Sequence, residues 1–433
     1  MSPQGNESQP QRKKRPHKTS NLLQAGIQEF LTTQIPESQL SACNLSLDTL
    51  PQALPKRFTI YEPLLLLPAN AFNAPPCWNA LYTSLTNEQR QSLYASIKKS
   101  FARMGVTHIA INAPIALTDL RGQENRMRSP AGLIPLHGDF GDISPVTGEE
   151  KSQPSGTDLE RAFWVRTAQN HGIVQIWAPL YTMFSRGNIT EKARILGQGP
   201  SADTFEGLDA ESLRQSVSEI SVVDLYAGIG YFVFSYLRRG VKRVWGWELN
   251  GWSVEGLRRG CLANKWGCRV VKVTDDGELD GGEDIEDLVK SLTDTDRVVI
   301  FHGDNRFAAD MLDAVNHVVD KLGTWSPVRH VNLGLLPSSQ PSWENACRML
   351  DVRRGGWIHV HENVDVHQIE QKKKEIEDEL ARIRSQEQTL RDQHIANCRH
   401  VEHVKTYAPG VMHCVFDVRL SGTDSAFMIH HNS

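Results

Sequence analysis

The 433-residue chain carries 47 Lys and Arg against 51 Asp and Glu, a formal net charge of −4, with 39% hydrophobic and 23% charged residues. That balance fits a globular protein long enough for two domains, and the bulk charge gives no sign of nucleic acid. The longest purely aliphatic run, Leu64 to Leu67, is far too short to cross a membrane, and the polar start is unlike a secretion signal, so a cytoplasmic protein is expected. Cysteines at 43, 77, 261, 268, 347, 398 and 414 are odd in number and never spaced Cys-x-x-Cys. They read as reduced, packed thiols, neither a disulfide framework nor a zinc site, and no metal is expected.

Residues 1–20 are rich in Gln, Pro, Ser and charge and include Arg12-Lys13-Lys14-Arg15, a composition that cannot bury a core. A disordered basic tail is expected, with a nuclear address or an RNA-touching arm as the functional alternative. Residues 21–157 read as a small N-terminal α/β domain followed by a connecting segment. Its helix is clearest from Asn87 to Met104, and His108-Ile109-Ala110-Ile111 reads as a strand. The connector, 121–157, holds Arg121, Arg126 and Arg128 among Pro, Gly and Asp, a solvated loop or a place to touch RNA backbone.

From Asp158 to the end a second domain is expected, beginning with a helix over 158–170 and a strand over 173–177. Strands and helices then alternate, the signature of a mostly parallel sheet covered on both faces. Strands are predicted at 220–225, 241–248, 298–302, 331–336 and 357–362. The acidic stretch 267–296 interrupts the spacing and reads as an insertion, a surface excursion. Residues 368–394 are dense in charge, with Ile369, Ile376, Leu380, Ile383 and Leu390 at helical spacing. That amphipathic helix is expected to pack on its own domain rather than on a partner. Two closing strands, 403–407 and 413–420, complete a seven-stranded sheet of the class I S-adenosylmethionine-dependent methyltransferase-like (Rossmann-like) fold.

Chemistry concentrates at the strand ends. Ile220-Ser221-Val222-Val223 runs into Asp224-Leu225-Tyr226-Ala227-Gly228-Ile229-Gly230, a strand ending in a glycine turn that opens a helix. Gly228 and Gly230 remove side chains where a ligand must approach the backbone, and the helix start offers N–H groups. A tight turn without a ligand is the plainer reading of such a loop alone. The next strand ends in Glu248-Leu249-Asn250, placing a carboxylate where it can accept both hydroxyls of a ribose. The loop lacks the third glycine of Gly-x-Gly-x-x-Gly, which disfavours a pyrophosphate and favours S-adenosylmethionine.

Five segments in order resemble one family. Met183-Phe184-Ser185-x-Gly187-Asn188-x-x-Glu191-Lys192, the glycine loop through Phe232, Glu248-x-Asn250, Gly303-Asp304-Asn305-Arg306 and Asn332-Leu333-Gly334-Leu335-Leu336-Pro337-Ser338-Ser339 are together similar to the tRNA wybutosine-synthesising protein 2 family, in its eukaryotic, fungal form. The resemblance covers residues 158–364; the N-terminal third matches only loosely.

The resemblance implies transfer of the 3-amino-3-carboxypropyl group of S-adenosylmethionine, a co-substrate, to carbon 7 of 4-demethylwyosine at position 37 of phenylalanine tRNA, in wybutosine biosynthesis. It implies cofactor contacts at Ser185, Lys192, Glu248, Asp304 and Asn305, to which the glycine loop adds Asp224, Gly228 and Gly230. Glu248 would hold the ribose, Asp304 and Asn305 the adenine, Lys192 the methionine carboxylate, and Ser185 would add a hydrogen bond nearby. Taken singly, Lys192 and Glu191 could decorate a helix face, Ser185 cap a helix and Asp304 form a turn. His302, Asp304, His361 and Glu362 stand near strand ends, and no general base is assigned. His359 and His361 read as sheet residues rather than metal ligands. Arg238-Arg239, Lys242-Arg243, Arg258-Arg259 and Arg353-Arg354 offer local positive charge for RNA, or are solvated helix ends. A guanine-N1 methyltransferase acting at the same tRNA position and a non-catalytic tRNA-binding protein are the competing readings. The sequence is silent on oligomeric state.

Overall fold

The computed structural model describes residues 21–46, 48–112, 133–141, 153–169, 172–182, 184, 186–282, 284–321, 326–387 and 396–424. The tail 1–20, with Arg121, Arg126, Arg128 and Ser185, lies outside the described residues. Two units result, Met1–Ala113 with Ile134–Asp139, and Pro114–Leu133 with Phe140–Ser433.

The first unit contains α1 (Leu22–Gln34), α2 (Glu37–Ala42), α3 (Leu50–Ala53), β1 (Thr59–Tyr61), β2 (Leu64–Leu67), α4 (Pro76–Ser84), α5 (Asn87–Ser100), β3 (His108–Ile111) and β4 (Ile134–His137). Its sheet runs β1-β2-β3-β4. The Asn21 side chain accepts the N–H groups of Leu23 and Gln24, and a Thr86–Gln89 capping box starts α5, satisfying donors that a helix start leaves open. Leu23, Ile27, Phe30 and Leu31 of α1 share one apolar core with Leu93 and Ile97 of α5.

The second unit opens with α6 (Gly156–Arg161), then β5 (Val165–Gln169) and β6 (Ile173–Trp177) as an antiparallel pair. The helix expected over 158–170 therefore stops early. Val165-Arg166-Thr167-Ala168-Gln169 alternates in burial and finds its hydrogen bonds on β6, so tertiary pairing overrides the helical reading. Next come α7 (Ile189–Ile195), α8 (Ala210–Leu213), β7 (Ser221–Asp224), α9 (Val233–Arg239), β8 (Arg243–Glu248), α10 (Gly251–Ala263), β9 (Gly267–Lys272) and α11 (Ile285–Ser291). β10 (Asp296–His302), α12 (Ala308–Lys321), β11 (Val328–Leu333), α13 (Trp343–Met349), β12 (Gly356–Asp365), α14 (Ile369–Glu387), β13 (Ala396–Ala408) and β14 (Val411–Leu420) complete it.

The main sheet is eight-stranded, in the order β13-β14-β12-β11-β7-β8-β10-β9. Without β9 this is the class I methyltransferase arrangement: parallel strands on both sides of β7, then an antiparallel β14. The eighth strand comes from the stretch expected to be an insertion. That stretch is not a surface excursion, because β9 pairs in parallel with β10 at the sheet edge and α11 buries Leu288 and Val289. Edge backbone groups of β10 bond β9 instead of water, which favours sheet extension over a loop.

Alternation along the strands builds a core on each face. Val223, Val299, Val331, Ile358 and Phe416 meet residues of α11, α12, α13 and α14 on one side. Val222, Val244, Val298 and Trp357 meet α7, α9 and α10 residues on the other. α14 packs on its own unit through Ile376, Leu380 and Ile383. Its buried Arg384 donates to the carbonyls of Cys347, Leu350 and Asp351, groups that the end of α13 leaves open. All seven cysteines are unbridged. Among the described residues no helix is long and apolar enough to cross a membrane.

If α11 is integral to the core, Leu288→Ala, at a fully buried position, lowers unfolding free energy by about 2–5 kcal/mol. Urea denaturation reads this, and an unchanged midpoint would mean that the 267–296 stretch is separable from the fold.

Candidate cofactor site

The chain leaves β7 where its neighbours run in opposite directions of sequence, β8 and β10 to one side and β11 and β12 to the other. Such a switch point opens a crevice at the carboxyl ends of the strands. The glycine loop occupies it. Gly228 and Gly230 have φ of 55° and 87°, the left-handed region that side chains disfavour.

Glu248 is the clamp of this loop. One carboxylate oxygen accepts the Gly228 N–H at 2.8 Å and the other the Asn250 N–H at 2.8 Å. Each oxygen keeps a further lone pair, so a carboxylate fixed in this way remains able to accept two hydroxyls. Burial pushes its carboxyl up, and the backbone N–H groups oppose that shift. At the neighbouring strand end, Asp304 Oδ1 accepts the Arg306 N–H at 2.9 Å. Asn305 turns back to the loop, its amide donating to the Leu225 carbonyl at 2.7 Å. Asp304 thus forms a turn, as the plainer reading had it, and that turn places it beside the crevice.

Asp224 is fully buried. Its Oδ1 accepts the Tyr226 N–H at 3.2 Å, while Oδ2 is buried without a hydrogen-bond partner. Burial, reinforced by the Glu248 charge, pushes its carboxyl up to about 7. A buried oxygen left this way is costly unless something donates to it.

Lys192 is 3% exposed. Its ammonium donates to Gln175 Oε1 at 3.0 Å and lies 5.3 Å from the Phe184 ring centroid and 5.5 Å from that of Tyr231, in the glycine loop. Burial pulls it down to about 8. Among the described residues it pairs with no carboxylate, so a buried cation stands beside the loop with capacity for an anion.

The loop after β11 is anchored by Glu362, whose Oε1 accepts the Ser338 hydroxyl at 2.8 Å and the Ser339 N–H at 3.2 Å. Tyr226 and Ser342 hydroxyls lie 2.6 Å apart, joining this segment to the glycine loop. His361 is buried against His413 at 3.1 Å, with Phe232 tilted over its ring. His302 ends β10 opposite Glu248 in the ladder, and burial pulls its imidazole down. His359 and His361 both lie inside β12. Among the described residues no cluster of His, Cys, Asp or Glu is arranged to hold a metal ion.

Most of the basic pairs are used internally. Arg239 donates to the Leu196 and Leu208 carbonyls, Arg243 to Thr293 and Asp296, and Arg258 and Arg259 to Glu255. A cavity of about 630 Å³ lies at the amino ends of the strands, with Lys242, Arg297 and Arg354 facing Glu219 and Asp294, remote from the glycine loop.

No family model matches the chain. The Schizosaccharomyces pombe tRNA wybutosine-synthesizing protein 2 is 38% identical over 366 residues, 84% of this chain and 72% of that protein. The chain belongs to the tRNA wybutosine-synthesizing protein 2 family. The Saccharomyces cerevisiae member is 31% identical over 426 residues, 90% of this chain and 80% of its own length. The Pyrococcus horikoshii TYW2 crystal structure, in complex with MeSAdo, shares the fold with a TM-score of 0.51 at 18% identity, covering 92% of this chain and all of that one.

Lys192, Asp224, Gly228, Gly230, Glu248, Asp304 and Asn305 all lie in the unit that carries this family's motifs; Ser185 lies outside the described residues. Phe184 and Tyr231 lie inside the matched segments with no role assigned to them; the fold makes the two rings walls around Lys192. Gln175 sits in the strand expected over 173–177, where sequence reasoning assigns it no role, and only the fold brings it to Lys192.

The raised Asp224 carboxyl carries a sign. The folded state holds a proton that the unfolded state gives up near the ordinary 3.8, so stability falls as pH rises from about 4 to about 7. Relative to Asp224→Asn, the unliganded wild type should lose stability as pH rises from about 4 to about 7 in urea titrations. A difference that does not change with pH would mean that Asp224 is ionised throughout.

Proposed function

We propose that this chain transfers the 3-amino-3-carboxypropyl group of S-adenosylmethionine to carbon 7 of 4-demethylwyosine at position 37 of phenylalanine tRNA. Family membership carries the reaction class, a wybutosine-forming transferase whose substrate is a tRNA. The observation that carries the site is the pairing of a clamped carboxylate with a buried cation at one loop. Glu248 is fixed by Gly228 and Asn250, and Lys192 stands against Tyr231 of the same loop.

The residues present suit such a co-substrate. Glu248 offers two fixed acceptors for the ribose hydroxyls. Asp304 and Asn305 border the adenine end, where Asn305 keeps its carbonyl oxygen while its amide holds the loop. Lys192 receives the methionine carboxylate through a charge-assisted bond, and Ser185 adds a polar group to the same segment. Asp224 Oδ2, buried and unpartnered, is the acceptor for a cationic group. A carboxylate against Lys192 would restore the ammonium that burial weakens, so the anion and the cation stabilise each other.

The sulfonium supplies three activated carbons, and the one held in line with the nucleophile at roughly 3–3.5 Å is the one attacked. In aminocarboxypropyl transfer the bond between sulfur and the chain's terminal methylene breaks and a bond from that methylene to the ring carbon forms. The ring proton leaves, and methylthioadenosine is released. Lys192 and Ser185 act by orientation: holding the amino acid end selects the long chain over the less hindered methyl. Water exclusion falls to Phe184, Tyr231 and Phe232.

Incubation with S-adenosylmethionine and phenylalanine tRNA carrying 4-demethylwyosine should yield methylthioadenosine by mass spectrometry. S-adenosylhomocysteine instead would assign methyl transfer and overturn the reading, as would tRNA binding without either product. Glu248→Ala should weaken S-adenosylmethionine binding about tenfold or more by calorimetry, the loss of charge-assisted bonds to the ribose. Unchanged affinity would remove Glu248 from that role.

A further inference from the structure

The segment that supplies Lys192 also supplies Glu191 and Arg194, which enter a different set of contacts. Arg194 donates Nε and Nη2 to the two oxygens of Glu191 at 2.9 and 2.7 Å. It donates Nη1 and Nη2 to Asp417 of β14 at 2.5 and 3.2 Å. Asp417 stands opposite His359 in the β12–β14 ladder, and Asp417 Oδ1 lies 2.6 Å from His359 Nδ1. His359 Nε2 is 3.0 Å from His330 Nδ1 on β11, and His330 Nε2 is 2.6 Å from the Gly207 carbonyl. None of the five residues is more than 2% exposed.

Counting protons fixes the charge of this chain. The Asp417 carboxylate at one end and the Gly207 carbonyl at the other both accept. Three hydrogen bonds in series through two imidazoles need three ring protons, one more than two neutral rings carry. Burial alone would raise the Asp417 carboxyl, but Arg194 and His359 outweigh it and hold it well below the carboxylate range, so the extra proton stays on the rings. Burial drives His330 towards its neutral form, and the acceptors at both ends still require three protons on the pair. Burial also pushes Glu191 up, yet both its oxygens accept Arg194 N–H groups, the geometry of the ionised form. Glu191 and Asp417 therefore balance Arg194 and one imidazolium, and the buried set is neutral. The titratable groups packed around it include Arg329 of β11, His361 of β12, Tyr236 of α9 and Cys398 of β13.

α7 has seven residues, and its buried positions are Glu191, Lys192, Arg194 and Ile195. One apolar side chain does not fix the rotation of so short a helix; the bidentate pair of Arg194 with Asp417 ties it to β14, and the Glu191–Arg194 pair within the helix holds the guanidinium in place to make that tie. We infer that the buried series His330, His359, Asp417, Arg194 and Glu191 is an ionised brace from sheet to α7, a set of positioning residues that hold the Lys192 ammonium at the cofactor loop. This rests on the reading of Lys192 as the cation for the methionine carboxylate.

The test is a double-mutant cycle in the full-length protein, read as S-adenosylmethionine affinity by calorimetry. Asp417→Asn keeps the side-chain shape and leaves Arg194 with Glu191 alone and the imidazolium without its carboxylate. Affinity should fall about tenfold or more, and in a Lys192→Ala background the same substitution should have no further effect. An equal loss with and without Lys192 would overturn the brace as the positioning device while leaving the Lys192 role intact. Lys192→Ala binding as tightly as wild type would overturn the Lys192 role itself, and the brace's purpose with it. Should Asp417→Asn fail to fold, ring-nitrogen NMR of the wild type decides the matter near neutral pH. One ring of the His330–His359 pair carrying both protons is expected; two singly protonated rings would overturn the inference.

Discussion

Everything at the cofactor edge depends on the Glu248 carboxylate bonding backbone N–H groups on both of its sides. A glycine turn has little to fix it, since Gly228 and Gly230 forgo the steric limits that other residues impose. Tying Gly228 to the end of β8 turns a permissive loop into a defined one. The same bonds aim the carboxylate into the crevice. Conformation and chemistry are thus set by one group, and its burial is tolerable because each oxygen is hydrogen-bonded.

Charge elsewhere in this unit follows the same logic with different outcomes. Arg384 is buried in a ring of carbonyls and closes a helix end. Arg194 is buried between two carboxylates and joins a helix to the sheet. Asp224 and Lys192 are buried without an opposite charge, and burial moves each towards its neutral form. Hydrogen-bonded charges make the frame, whereas Asp224 keeps an unpartnered oxygen and Lys192 an amide acceptor alone beside the glycine loop.

The added strand β9 shows how the fold absorbs extra sequence without disturbing the site. It joins the sheet beyond β10, at the edge furthest from the antiparallel hairpin of β13 and β14, so the order of strands around the switch point is unchanged. Its acidic neighbourhood misled the sequence reading. Charge density marks exposure of side chains, but strand formation depends on whether a neighbour offers unpaired backbone groups, which here β10 does. The helix expected over 158–170 failed for a related reason, as β6 offered Val165 to Gln169 a partner that no local pattern announces.

The sequence by itself determined the parallel sheet, the glycine loop, the ordered motifs and hence the family, because these rest on local periodicity and on residue types at fixed spacing. It also placed Glu248 at a strand end, since the end of an apolar run is visible in one dimension. Only the tertiary structure decided that Gln175 holds Lys192, that Asp417 meets Arg194 across 223 residues, and that Asn305 spends its amide on the loop. Such pairings depend on which strands lie side by side, and no spacing along the chain encodes that. The series His330, His359 and Asp417 lies deeper still, for it joins residues of β11, β12 and β14 that only folding sets side by side.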